Sequence, residues 1–219
     1  MNNKNNEKWT FDEIKKTIKV LKDNEVYRIS DNLKFKKNHM VVKELISNPK
    51  YKNTLLYEHH TTTNSDFYKV MLKKKEKSDL KFYDDDTLVV HIRSGDVFNR
   101  LGLGLKKNFD FYLNEINKSD KKKIVLVTAL HYGTSSLAKK LYKSSLFNYN
   151  VKNHDANIEI FHKFISSLNK PVEISSNDNV DEDLLLLVFC KNLVTNTSSG
   201  GFSKVIKKYN DQYNSSKKK

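Results

Sequence analysis

Apolar residues in this chain fall into short unbroken runs that alternate with longer stretches at helical spacing, and the alternation is regular from Asp84 onward. Thr87–Val90 is a short apolar, β-branched run that predicts a buried strand over Leu88–Ile92, and Ile124–Thr128 predicts the next. Between them, a helix is expected around Phe109–Ile116. Thr134 or Ser135 can cap a helix carrying Leu137, Leu141 and Leu146, and Ile158, Phe161, Phe164, Ile165 and Leu168 recur at spacings of three and four along another. Pro171 opens a strand at Val172–Ser175. Asp181–Cys190 predicts a helix that is apolar on all sides, Leu193–Thr195 a last strand and Gly200–Tyr209 a last helix.

The amino-terminal third is less regular. Thr10 with Glu13 three residues on forms a capping-box pattern for a helix through about Leu21. A short strand at Val26–Ile29, a helix over His39–Ser47 and another over Phe67–Lys75 follow, while Tyr51–Tyr57 fits either class. Strands separated by helix-length crossovers predict an α/β fold: a parallel, Rossmann-like sheet with helices on both faces. Right-handed crossovers bring the strand ends to one edge, so His91–Asp96, Thr128–Gly133, Ser175–Asp178 and Thr195–Gly201 are expected on a common rim. The expected division is a reduced amino-terminal lobe over 1–83, a sheet domain over 84–210 and a basic disordered tail over 211–219.

Composition narrows the function classes. The formal net charge of +14 invites a nucleic-acid partner. Lys and Asn are nonetheless enriched along the whole chain, the Lys triplets sit at expected loops or ends, and no aromatic-interleaved basic element or zinc-finger spacing is present. A nucleic-acid-binding protein is therefore the lesser reading. One cysteine, Cys190, excludes an internal disulfide, and its apolar helical setting points to a buried structural thiol. No apolar run is long enough for a transmembrane helix, and Met1–Asn6 has no signal-peptide core, so a cytoplasmic location is expected.

Candidate chemistry gathers at the rim. His91-Ile92-Arg93-Ser94-Gly95-Asp96 ends a buried strand in a cation, an imidazole and a carboxylate. Arg93 is one of three arginines among 40 basic residues, and its planar fork suits bidentate phosphate binding. Thr195-Asn196-Thr197-Ser198-Ser199-Gly200-Gly201 joins a strand to a helix, where free N–H groups and the helix dipole favour a diphosphate; an ordinary helix cap has the same composition. His91 by itself reads as a structural histidine, and Asp96 as an Arg93 partner, a loop cap or a base. Asp181, Glu182 and Asp183 open a helix, and one of them facing the rim could accept two hydrogen bonds from a guanine edge. Asp84-Asp85-Asp86 precedes its strand, lies at the other edge and reads as a solvated turn rather than a metal site.

The His91–Asp96 segment resembles the His-x-Arg-x-Gly/Thr-Asp motif of the GDP-fucose-dependent fucosyltransferases of the α-1,2, α-1,6 and protein-O-fucosyl groups. The similarity continues through an acidic helix start, Leu193-Val194-Thr195 and a Ser-Ser loop, covering about Thr87–Tyr209. It implies the nucleotide-binding half of a GT-B enzyme and an inverting, metal-independent transfer of fucose from GDP-fucose to a glycan or protein hydroxyl. Arg93, Ser198, Ser199, Gly200 and Gly201 would hold the diphosphate, and Asp183 would read guanine. Asp96, with His91 second, is the candidate base. No cofactor beyond the donor is implied. The family often carries a second basic residue where this chain has Ser94, and the segment before Asp84 is short for an acceptor domain, which a partner chain or second copy could complete. A non-catalytic nucleotide-sugar-binding module is the alternative.

Overall fold

The computed structural model describes residues 9–21, 46–93, 103–131, 154–177, 180–199 and 201–217. Among these, the strands are β1 (Val20–Leu21), β2 (Thr87–His91), β3 (Lys123–Val127), β4 (Leu130–His131), β5 (Val172–Ser175) and β6 (Leu193–Thr195). The helices are α1 (Phe11–Thr17), α2 (Leu55–Thr61), α3 (Asn64–Glu76), α4 (Leu103–Lys118), α5 (His154–Ser166), α6 (Val180–Phe189) and α7 (Gly201–Ser216). Four strands form a wholly parallel sheet in the order β5-β3-β2-β6, and β1 pairs in parallel with β4 beside it.

The period of two along each strand divides the core. Leu88, Val90, Ile124, Leu126 and Ile174 face one layer, where Ile14 of α1, Tyr112 of α4 and Phe161 of α5 pack. Val89, Val125 and Val127 face the other, against Leu56 of α2, Phe67 of α3, Leu187 of α6 and Ile206 of α7. Burial on both faces explains why β2 and β3 read as continuous apolar runs rather than alternating ones. Each fully buried Val or Leu contributes about 1.5–3 kcal/mol over its exposed state.

Strand order locates the crevice. β2, β3 and β5 step in one direction with α4 and α5 on one face. The chain then returns past all three, and α6 lies on the opposite face, as a same-handed crossover requires. In chain order the four strands read 3-2-1-4, a Rossmann-like layout that reverses between β2 and β6.

Several expectations change. The Thr10 capping box forms as read, but its helix ends at Thr17: Ile18 turns extended at φ −72° and ψ 115°, and the following residues pair as β1 with β4. That pairing joins segments more than a hundred residues apart, so local periodicity carries no trace of it. Tyr51–Tyr57 resolves into a 3-10 turn at Pro49–Tyr51 followed by the start of α2. The expected tail from 211 is helical to Ser216, because Tyr213 continues the stripe of Ile206 and Tyr209 into the core. The described residues of 1–83 build no separate core. Trp9 and Ile18 join the core on one face of the sheet, while Leu55 and Met71 join that on the other. The strand at Val26–Ile29, nearly all of the 39–47 helix and the 134–146 helix lie outside the described residues.

Cys190 is buried just past α6, its thiol donating to the Leu187 carbonyl and pushed up to about 12 by burial. Among the described residues, no helix is long and apolar enough to cross a membrane.

Candidate functional site

The register sets the rim. His91 stands level with Val127 on one side and Thr195 on the other, and Val127 stands level with Ser175. Thr128 stitches the next layer: its N–H donates to Ser175 O at 3.1 Å and its hydroxyl to Ile92 O at 3.1 Å. The strand ends expected at one edge are therefore brought there, and the switch point between β2 and β6 lies where ligands bind in open α/β sheets.

Two side chains fasten that switch point. His91 Nδ1 lies 3.0 Å from Thr195 Oγ1, bridging the ends of β2 and β6, and the ring packs edge-on against Phe202 of α7 at 5.4 Å. Burial, followed by the charge of Arg93, pushes the imidazole down to about 3. A ring held neutral at ordinary pH, with one nitrogen engaged on Thr195, is a brace rather than a proton acceptor at the surface of the crevice.

The second fastener was missed from the sequence. Tyr112 of α4 is 2% exposed, and its hydroxyl takes hydrogen bonds from the backbone of both Arg93 and Asn196. These residues follow β2 and β6 directly. A single phenol on the underlying helix thus ties together the two loops that flank the crevice. Burial holds it up to about 12, against the pull of those two bonds. In the sequence, Tyr112 reads as one more apolar position of an amphipathic helix.

Arg93 emerges half-buried from this anchor. Across from it, the loop after β6 folds into the 3-10 turn Thr197–Ser199, organised by Asn196. The Asn196 side-chain oxygen accepts from Ser198 N–H at 3.0 Å and from Ser198 Oγ at 2.6 Å, a side-chain turn of the kind that initiates helices. Gly201 begins α7 immediately beyond. The structure therefore brings His91, Arg93, Ser198 and Gly201 to the adjoining ends of β2 and β6. Ser199 belongs to the same turn, and Asp96 and Gly200 lie outside the described residues.

Asp183 reaches the same edge from a different side. It lies in the first turn of α6, 8% exposed, and its Oδ1 accepts from Asn177 Nδ2 at 2.6 Å, just beyond β5. Burial lifts its carboxyl to about 7, opposed by hydrogen bonds from Asn177 and reinforced by Glu182. A guanine reader must be ionised and reachable; here one oxygen is already committed and the group stands beyond the end of β5, two strands from β2. Asp181, in the same acidic start, does structural work. Both its oxygens accept from the Leu55 N–H at the start of α2, at 3.1 and 2.9 Å, and Lys74 Nζ of α3 lies 3.3 Å from it.

No family model, curated protein or solved structure matches the chain. Its geometry is a switch point with Arg93 directly after one strand and, after the neighbouring strand, a small-residue turn leading into a helix. A cation and backbone N–H groups at adjacent strand ends are the elements of an anion site.

Proposed function

We propose that the crevice between β2 and β6 binds the diphosphate of a nucleotide sugar, and that the protein is a glycosyltransferase with GDP-fucose as its expected donor. The observation that carries this reading is the pairing of β2 with β6, after whose neighbouring ends Arg93 and the Asn196–Ser198 turn follow at one switch point. The resemblance of His91–Asp96 to the fucosyltransferase motif supplies the choice of donor.

In this reading the acceptor hydroxyl attacks the anomeric carbon of the donor sugar. Its proton passes to a base, for which Asp96 is the candidate, and the bond from the anomeric carbon to the phosphate oxygen breaks with inversion. Negative charge grows on the departing diphosphate, where Arg93 and the N–H groups at the start of α7 stabilise it without a metal. Removing one such donor typically costs about 3 kcal/mol in the transition state. His91 and Tyr112 act as braces that fix the distance between the walls.

Calorimetric titration with GDP tests the proposal. Wild-type protein should bind saturably, and Arg93→Ala should weaken binding at least tenfold, with Arg93→Lys intermediate because an ammonium lacks the bidentate fork. Equal GDP affinity in all three proteins would reject the phosphate role of Arg93, and with it this reading.

A further inference from the structure

At the end of the sheet opposite the Arg93 crevice lies a cleft of about 810 Å³, between the last turns of α3 and α7 and the starts of β2 and β6. Lys75 closes α3 at its wall. Its ammonium sits 5.0 Å from the ring centre of Phe82, 4.9 Å from that of Phe189 and 4.8 Å from that of Tyr213, and donates to Tyr213 Oη at 3.1 Å. Three aromatic rings therefore hold one half-buried ammonium in a single place. Lys217 lies 4.5 Å from the Tyr213 ring on α7's continuation.

Among the described residues that line this cleft, cations outnumber carboxylates: Lys75, Lys191 and Lys217 stand against Asp85, which is paired with Lys191. Ring faces attract an ammonium, by about 0.5–2 kcal/mol, but carry no net charge to neutralise it. Burial alone would raise the Tyr213 phenol, yet hydrogen bonds from Lys217 and Lys75 bring it below its ordinary value. An ordinary surface lysine swings freely into solvent; Lys75 is pre-positioned, so little side-chain freedom remains to be lost when an anion arrives.

We infer that this cleft, with Lys75 and Lys217 as its cations, is a binding site for the phosphate group of a small phosphorylated molecule, separate from the Arg93 crevice. Two ammonium groups beside one phenol match a dianionic phosphate better than a single carboxylate, and lysine serves phosphate as a point charge. The volume lies within the range of small-molecule sites, about 300–1,000 Å³. Gly201 and Tyr213 stand about 18 Å apart along α7 at a rise of about 1.5 Å per residue, so one ligand group cannot occupy both places.

The probe is inorganic pyrophosphate, titrated calorimetrically into wild type, into Arg93→Ala, and into Arg93→Ala carrying either Lys75→Met or the exposed-site substitution Lys217→Gln, each first checked by its melting curve. The expected result is saturable binding that survives Arg93→Ala and weakens at least tenfold in Lys75→Met and severalfold in Lys217→Gln. No saturable binding to Arg93→Ala protein, or binding to it that both lysine substitutions leave unchanged, would overturn the inference while leaving the GDP reading untouched. Saturable binding of a single-stranded RNA oligomer without any of pyrophosphate would overturn it in favour of a nucleic-acid surface.

Discussion

His91 and Asp183 are both buried at the carboxyl rim, and they bias stability with pH in opposite directions. Burial lowers the imidazole from 6.5 to about 3, so the unfolded chain takes up a proton near neutrality that the native state refuses. Its contribution is present above pH 6.5 and is lost as pH falls toward 3. Burial raises the Asp183 carboxyl from 3.8 to about 7, so the native state keeps a proton that the unfolded chain releases. That contribution is full below pH 3.8 and is lost as pH rises through 7. Across the shared window, about pH 4 to 6.5, each group contributes a slope of about 1.4 kcal/mol per pH unit, and the slopes have opposite signs. They cancel in the wild type and amount to about 3 kcal/mol each over the window, a large part of a domain's usual margin. Asp183→Asn keeps an oxygen for Asn177 and unmasks the histidine: between pH 6.5 and 4 this variant should lose about 3 kcal/mol more than wild type. His91→Asn keeps a polar atom for Thr195 and should gain by a similar amount over the same interval. Urea unfolding followed by fluorescence of Trp9, the single tryptophan, measures both, and the difference from wild type removes the titration common to all three. Variant and wild-type stabilities that run parallel with pH would refute the reasoning.

Two further substitutions test the braces. Tyr112→Phe keeps the ring in the core but strips the acceptor from the Arg93 and Asn196 backbone; at about 1 kcal/mol per lost bond it should lower stability by about 2 kcal/mol, or about 4–8 °C in melting temperature, and an unchanged melting curve would remove Tyr112 from the site. Asn210→Ala removes the amide that donates to the carbonyls of Leu187 at 3.3 Å, Val188 at 3.0 Å and Cys190 at 2.7 Å, capping the end of α6. It should cost about 1–3 kcal/mol in urea unfolding, and a change below about 0.5 kcal/mol would show that water replaces the cap.

What could be read along the chain was what depends on neighbours in sequence. Val172–Ser175 and Leu193–Thr195 appear at the residues expected, because short segments with β-branched residues bounded by Pro, Asn and Lys leave little freedom. The Thr10–Glu13 box closes reciprocally for the same reason. The rim followed from crossover geometry, and Arg93 was found there from its scarcity among lysines. The hidden parts depend on partners far along the chain. Tyr112 meets Asn196 across 84 positions, and β1 finds β4 across more than a hundred. Asn210 meets the carbonyl end of α6 about twenty positions before it, a partner no local pattern marks. Asp183 stood out as an acidic helix start, but nothing local revealed that Asn177 and burial would hold its carboxyl half-protonated near neutrality.

The contact of Trp9 with β5 bears on how the chain is made. Trp9 Nε1 donates to Val172 O at 2.8 Å, covering the free edge of the sheet, and its partner lies 163 residues downstream. At synthesis rates of about 5–20 residues per second, the amino-terminal segment waits roughly 8–30 s for that strand to be made. Throughout this interval the Trp9 indole has no β5 carbonyl to meet, and once β5 is made its edge stays open until Trp9 arrives. Residues made early are thus among the last to find their place, and a chain cut short before Val172 would lack the carbonyl that holds the Trp9 indole.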